Sequence, residues 1–191
     1  MKAVMLSIRP DWIEKILTGA KTVEIRKHRP KLHPPFKCYI YCTKSRIAYG
    51  SFGVNGKPQE CGATVVGEFI CKKVSRYSTF GDPENDEITT DEILSRSCLT
   101  PDMLRRYELK ADYHIGLYAW DISDVGIYEE PKELKVFRNP CAEYTKDNPQ
   151  CGRCDYYHSM GEYPAECGCD GAKPMIRPPQ SWCYVEELTH V

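Results

Sequence analysis

The first 26 residues leave little freedom in how this chain can begin to fold. Residues 3–8 (AVMLSI) are almost wholly apolar and read as a buried β-strand. Pro10 then opens a helix at a position where its missing N–H does no harm. Trp12, Ile13, Ile16 and Leu17 fall on one helical stripe, with Asp11, Glu14 and Lys15 off it, so Trp12 reads first as a core residue, the alternative being that it lines a cleft with Arg9. Gly19 stops the helix in the left-handed conformation. Residues 22–26 alternate, Val23 and Ile25 pointing one way and Thr22, Glu24 and Arg26 the other. Glu24 and Arg26 therefore share a strand face, with Lys21 at the turn that precedes it. A carboxylate between cations can position a phosphate or tune a proton donor and acceptor, which makes these three a candidate site. The opposing reading is an ion-pair network that only closes the fold.

Further strands are expected at residues 38–42, 63–71 (with Gly67 a possible bulge), 115–122, 125–128 and 181–186. Thr90 could cap a short helix through Arg96, and Thr100-Pro101 is a stronger start for another through Tyr107. Residues 48–62 and 75–89 read as polar connections. One helix followed by many short strands argues for an α+β domain with a small mixed β-barrel and flanking helices, although an open α+β sheet has the same pattern. No apolar run approaches the roughly 20 residues of a membrane span. The N-terminus lacks the cleavage site of a signal peptide, so a cytoplasmic location is expected.

Net charge is −1, which does not advertise a polyanion partner, but its distribution does. Residues 21–37 hold Lys21, Arg26, Lys27, Arg29, Lys31 and Lys37 against Glu24 alone, with His28 and His33 in addition. Such a segment on a near-neutral chain is a candidate phosphate-facing patch, or else a plain solvated loop.

Eleven cysteines suit a reducing compartment and a metal better than a disulfide scaffold. Residues 138–175 are poor in aliphatic side chains and rich in Cys, Gly and Tyr, so they are expected as an insertion in a domain made of 1–137 and 176–191. Within it, Cys151 and Cys154 form a C-x-x-C knuckle and Cys167 and Cys169 follow as C-x-C. Four thiolates at this spacing can surround one structural Zn2+, with Cys141 and His158 as alternates. A redox dithiol at Cys151 and Cys154 is the rival, without the βαβ setting such motifs use. Cys38, Cys42, Cys61, Cys71, Cys98 and Cys183 stand singly; those in strands read as small buried hydrophobes.

The strand, Pro10-Asp11-Trp12, the helix and then Gly19-x-Lys21-x-x-Glu24-x-Arg26 resemble the start of ASCH domains, within the PUA-like superfamily. Cys38-Tyr39-Ile40-Tyr41, Val66-Gly67-Glu68-Phe69, Tyr118-Ala119-Trp120 and Pro178-Pro179-Gln180-Ser181-Trp182 extend the resemblance over roughly residues 1–135 and 176–187. It implies a PUA-like barrel with a cleft beside the first helix that takes RNA, another single-stranded nucleic acid or a nucleotide ligand. Arg9, Lys21, Arg26, Lys27, Arg29 and Lys31 would contact the nucleic acid. Tyr39, Tyr41 and Trp120 are candidates for base stacking and also for strand packing. Members also include ribonucleases and amidohydrolases acting on acetylated cytidine. In an enzyme, Glu24 would be the general base or acid, with Lys21 and Arg26 as electrostatic partners. The amidohydrolases carry a hydroxyl residue where this chain has Glu24, which favours binding or RNA cleavage. Their further carboxylate has no secure counterpart among Glu84, Glu87 and Glu92.

Overall fold

A computed structural model of the chain describes residues 2–44, 62–77, 87–110, 116–140 and 174–188. The strands are β1 (Lys2–Ile8), β2 (Val23–Arg26), β3 (Phe36–Cys42), β4 (Thr64–Cys71), β5 (Val74–Tyr77), β6 (Leu117–Asp121), β7 (Ser123–Glu133) and β8 (Trp182–Glu186). The helices are α1 (Pro10–Leu17), α2 (Thr90–Ser97) and α3 (Pro101–Glu108). One sheet has the order β7-β4-β3-β1-β8 and the other β2-β6-β5. Among the described strands only β1 and β3 pair in parallel, and the crossover between them carries α1 and β2.

β1 lies inside the larger sheet and buries both faces, which is why it is continuously apolar rather than alternating. Val4, Leu6 and Ile8 pack with Ile13 and Ile16 of α1, and with Phe36, Ile40 and Trp120. Ala3 and Met5 face the other way, into a second cluster with Tyr39, Tyr41, Phe137, Met175 and Val185. The smaller sheet turns Val23 and Ile25 onto Ile93 and Leu104 of α2 and α3. Trp12 is half-buried at the margin of the first cluster, not within it.

The two sheets meet at a corner that the chain crosses twice, between β4 and β5 and between β6 and β7. There Asp121 N–H donates to the Lys73 carbonyl (2.9 Å) and Ile122 N–H to that of Thr22 (2.9 Å). A closed barrel is not formed among the described strands. On the side away from the corner, β2 and β8 are edge strands with no ladder between them. Side chains span that gap. Arg26 Nη1 donates to Ser181 Oγ (3.1 Å), and the Lys31 N–H donates to Tyr184 Oη (2.6 Å).

Several local expectations shift by a residue or more. α2 is capped by Thr89, whose hydroxyl accepts from Glu92 N–H (3.2 Å) while Glu92 Oε2 accepts from Thr89 N–H (2.9 Å). Thr90 is instead its first helical residue. α3 begins as expected, with Thr100 as cap and Pro101 inside. β5 lies at the start of the stretch expected as a polar connection; four residues (VSRY) with two apolar positions are too short to signal a strand. Cys38 and Cys71 lie in one cluster on adjacent strands. Burial pushes both thiols up, Cys71 to about 12, so they act as hydrophobes. The expected metal ligands Cys141, Cys151, Cys154, His158, Cys167 and Cys169 lie outside the described residues, as do Glu84 and Cys61. Arg138 and Pro174, at the ends of that span, form a bridge, and Met175 N–H donates to the Phe137 carbonyl (2.8 Å). No helix among the described residues is long and apolar enough to cross a membrane.

Gly67 sits where the β4–β7 register shifts, and its lack of a side chain is obligatory. A Cβ there would collide with the Gly126 carbonyl and lie 2.7 Å from Ile127 Cδ1. Gly67→Ala should cost about 1–3 kcal/mol, as overpacking against backbone does. Urea unfolding checks this; an unchanged midpoint would contradict the close approach.

Candidate functional site

The turn from α1 into β2 is built by backbone bonds. Gly19, at φ +72°, donates to Ile16 O (3.1 Å), and the Lys21 N–H donates to Lys15 O (2.8 Å). Thr22 N–H donates to Arg96 O (2.8 Å), which docks the turn on the last turn of α2. These bonds send the Lys21 side chain inward beside β2.

Lys21 is 3% exposed and Glu24 8% exposed. Glu24 Oε2 lies 3.2 Å from Lys21 Nζ, and Oε1 lies 3.0 Å from Arg26 Nη2. Lys21 Nζ also donates to the Ser97 carbonyl at the end of α2 (3.0 Å). Arg26 Nη2 donates to the Ser7 carbonyl of β1 (3.0 Å). Buried Lys21 and Glu24 and the mostly buried Arg26 thus lie together, the two cations tied to different parts of the fold. Burial alone would raise the Glu24 carboxyl, but Lys21 and Arg26 outweigh it and hold the group below its ordinary value of 4.5. Two buried donors in this neighbourhood, Arg26 Nε and Trp120 Nε1, have no hydrogen-bond partner among the described residues. Trp120 stands opposite Glu24 in the β2–β6 ladder.

Outside this buried network lies Trp12. Its half-exposed ring has Lys15 Nζ 4.8 Å, Lys21 Nζ 5.1 Å and Arg9 Cζ 6.0 Å from its centroid. Arg9 also makes an exposed ion pair with Asp11 (3.5 Å). Three cations thus stand over the Trp12 ring, one of them from the buried network.

The basic segment divides. Lys21 and Arg26 turn inward. Lys37 goes to Glu68 (3.0 Å) and Glu187 (3.5 Å), on another part of the surface. Arg29 and Lys31 are exposed and Lys27 half-exposed, and none of the three pairs with an acid among the described residues. Of the two readings open for the strand aromatics, base stacking and strand packing, the structure has packing. Tyr39 and Tyr41 belong to the second cluster, and Trp120 is wedged between Phe36 and Trp182. Strand position could not separate stacking from packing, because the covering side chains come from remote segments. Glu92 is occupied by its cap, and Glu87 accepts from Arg76 N–H (3.3 Å). Sequence reasoning passed over Ser7, Ser97 and the orphaned Trp120 indole. Two of these contribute carbonyls, which no side-chain pattern reveals. Among the described residues no group of three or more His, Cys, Asp or Glu could hold a metal ion.

No family model matches the chain, and no curated protein matches it. Solved structures do. The ASCH protein of Zymomonas mobilis is similar at a TM-score of 0.50 and 16% identity, over 97% of this chain and 88% of that one. Its tyrosine-to-phenylalanine mutant matches at 0.53 and 15% identity, over 98% of this chain and 92% of that one. A serine-to-alanine mutant matches at 0.52 and 14% identity, over 97% and 89%. At such identities the likeness establishes the fold.

The buried network makes a stability prediction. Glu24→Gln leaves two buried cations without their anion and should cost about 3–5 kcal/mol at neutral pH. The wild-type carboxylate is depressed in the folded state, so its contribution is present above about pH 4.5 and is lost as the pH falls through the folded value. Unfolding curves across that range should fall more steeply for wild type than for Glu24→Gln. A variant as stable as wild type at pH 7 would sink the network's structural role.

Proposed function

We propose, from the premise that this chain has the ASCH-domain fold, that it binds single-stranded RNA through the surface around Trp12. The observation that carries the reading is the half-exposed Trp12 ring with Arg9, Lys15 and Lys21 grouped about it. An aromatic face accepts a base by stacking, and cations beside it accept the phosphates on either side. Arg9, Lys15, Lys27, Arg29 and Lys31 supply direct charge. Lys21 and Arg26 act from beneath, giving the site a net positive floor and fixing its shape.

Glu24 favours binding over hydrolysis. Both its oxygens are held by cations and its carboxyl is depressed, so it carries a fixed charge. A general acid or base near neutral pH needs its pKa moved the other way. Turnover of single-stranded RNA or acetylated cytidine, abolished by Glu24→Gln in a protein shown to be folded, would overturn the binding reading in favour of an enzyme.

Binding is tested by fluorescence anisotropy with a labelled RNA oligonucleotide. Trp12→Ala should weaken it by about 1–3 kcal/mol, the usual worth of one stacked base, while Trp12→Phe keeps most of the affinity. Log affinity should fall linearly with log salt, with a slope of about −0.7 per phosphate neutralised. An affinity indifferent to both salt and Trp12 would refute the site.

We also infer a structural zinc held by Cys151, Cys154, Cys167 and Cys169, with Cys141 or His158 as substitutes, on the spacing of these residues. Protein purified without chelator should carry about one zinc per chain, lost in a Cys151→Ser, Cys154→Ser double variant. Metal-free native protein would remove this assignment.

A further inference from the structure

The connection from β2 to β3 carries a charge pattern beyond the Trp12 site. Between Ile25 and Phe36 the chain has no acidic residue. From Arg29 onward its burial alternates. Arg29, Lys31 and His33 are exposed, while Pro30 is buried and Leu32 and Pro34 are half-buried. The alternation makes one side of the segment a ridge of positive and titratable side chains, and the other side an apolar anchor.

The course of that ridge is set by three contacts. It starts level with Ser7 of β1, whose carbonyl accepts from Arg26. It passes Tyr184, whose hydroxyl accepts from Lys31 N–H, and Tyr184 is the register partner of Val4. It ends at Phe36, two residues before Cys38, the partner of Val4 on the other side of β1. The segment thus runs along β1 from Ser7 towards Lys2, about 17 Å at the usual strand rise.

At that far end is a groove of about 330 Å³, at the low end of the range for ligand pockets. Leu32, Pro35, Phe36 and Ile70 line it with apolar surface. Lys2 and His33 stand exposed at its rim, and its one carboxylate, Glu187, is paired with Lys37.

We infer that this groove is a second nucleotide subsite, and that the 27–33 ridge is the track by which a single strand reaches it from Trp12. The inference rests on the RNA-binding reading above and extends it. The phosphates lie along Lys27, Arg29 and Lys31. A base enters the groove against Leu32, Phe36 and Ile70, and its phosphate faces Lys2 and His33. Charge selects the occupant: the ridge suits a chain with one negative charge per repeat, and the apolar floor suits a flat base. The footprint falls among the shorter single-strand sites of small domains, about 4–16 nucleotides.

The test compares a labelled trinucleotide with an octanucleotide of single-stranded RNA on the full-length protein. The octamer should bind at least about tenfold more tightly, because only it reaches along the ridge phosphates into the groove. Charge reversal at the rim, Lys2→Glu with His33→Glu, should remove most of that advantage. Both positions are exposed, and unaltered thermal unfolding confirms that the variant is folded. Equal affinities for the two lengths, or an octamer indifferent to the rim reversal, overturn the track while Trp12-dependent binding stands. Failure of both oligonucleotides to bind removes the track together with the RNA-binding reading. Displacement of the octamer by an oligoglutamate of equal charge would assign the ridge to acidic peptides instead.

Discussion

A buried carboxylate between two buried cations holds the two halves of this fold in register. Placing an ion in a protein interior costs several kcal/mol unless its partners are close and its remaining hydrogen-bonding groups are satisfied. Glu24 meets the first condition through Lys21 and Arg26. The cations go far towards the second by reaching outward, Lys21 to the end of α2 and Arg26 to β1 and to Ser181 beside β8. The network thus links the smaller sheet, the larger sheet and a helix at one point. It also occupies the gap where a barrel would have continued its ladder, so the closure on that side is ionic rather than backbone-paired.

That arrangement divides the basic residues into two kinds. The inward cations are occupied; their contribution to a ligand is a fixed positive potential and a rigid floor. The outward ones, Lys15, Lys27, Arg29 and Lys31, pair with no acid among the described residues and keep their donors for solvent or a partner, while Arg9 shares its charge with Asp11. Trp12 stands where the two kinds meet, 5.1 Å from Lys21 and within reach of Arg9 and Lys15. An aromatic ring so placed combines a stacking surface with charge that costs no rearrangement when a ligand arrives.

The larger sheet shows a related economy. Both of its faces carry an apolar cluster, because β1 and β3 present apolar side chains on each side. One face is covered by α1 and the smaller sheet. Phe137 and Met175, which flank the cysteine-rich segment, help cover the other. The Arg138–Pro174 bridge joins the described residues on either side of that segment, next to the second cluster.

Much of the local structure was legible in order. Pro10 and Gly19 bracket α1, residues 23–26 alternate as expected, and Thr100-Pro101 starts α3. Gly67 marks an irregular, close-packed place in β4, as a strand-interior glycine suggests. These features depend on nearest neighbours in the chain, and short-range sterics and hydrogen bonding decide them. Residues 21–26 likewise state in sequence that Glu24 and Arg26 share a face with Lys21 beside them. What covers that face is not local. Ser97 lies 76 residues from Lys21, and Ser181 lies 155 from Arg26. Only when α2 and the approach to β8 close over the strand do three charges on a polar face become a buried network. Packing against Trp182 likewise takes Trp120 into the core, and Phe137 covers Tyr39 on the other face, while Trp12 stays at the surface. Alternation determines which side chains travel together; long-range packing determines whether they meet water, one another or a ligand.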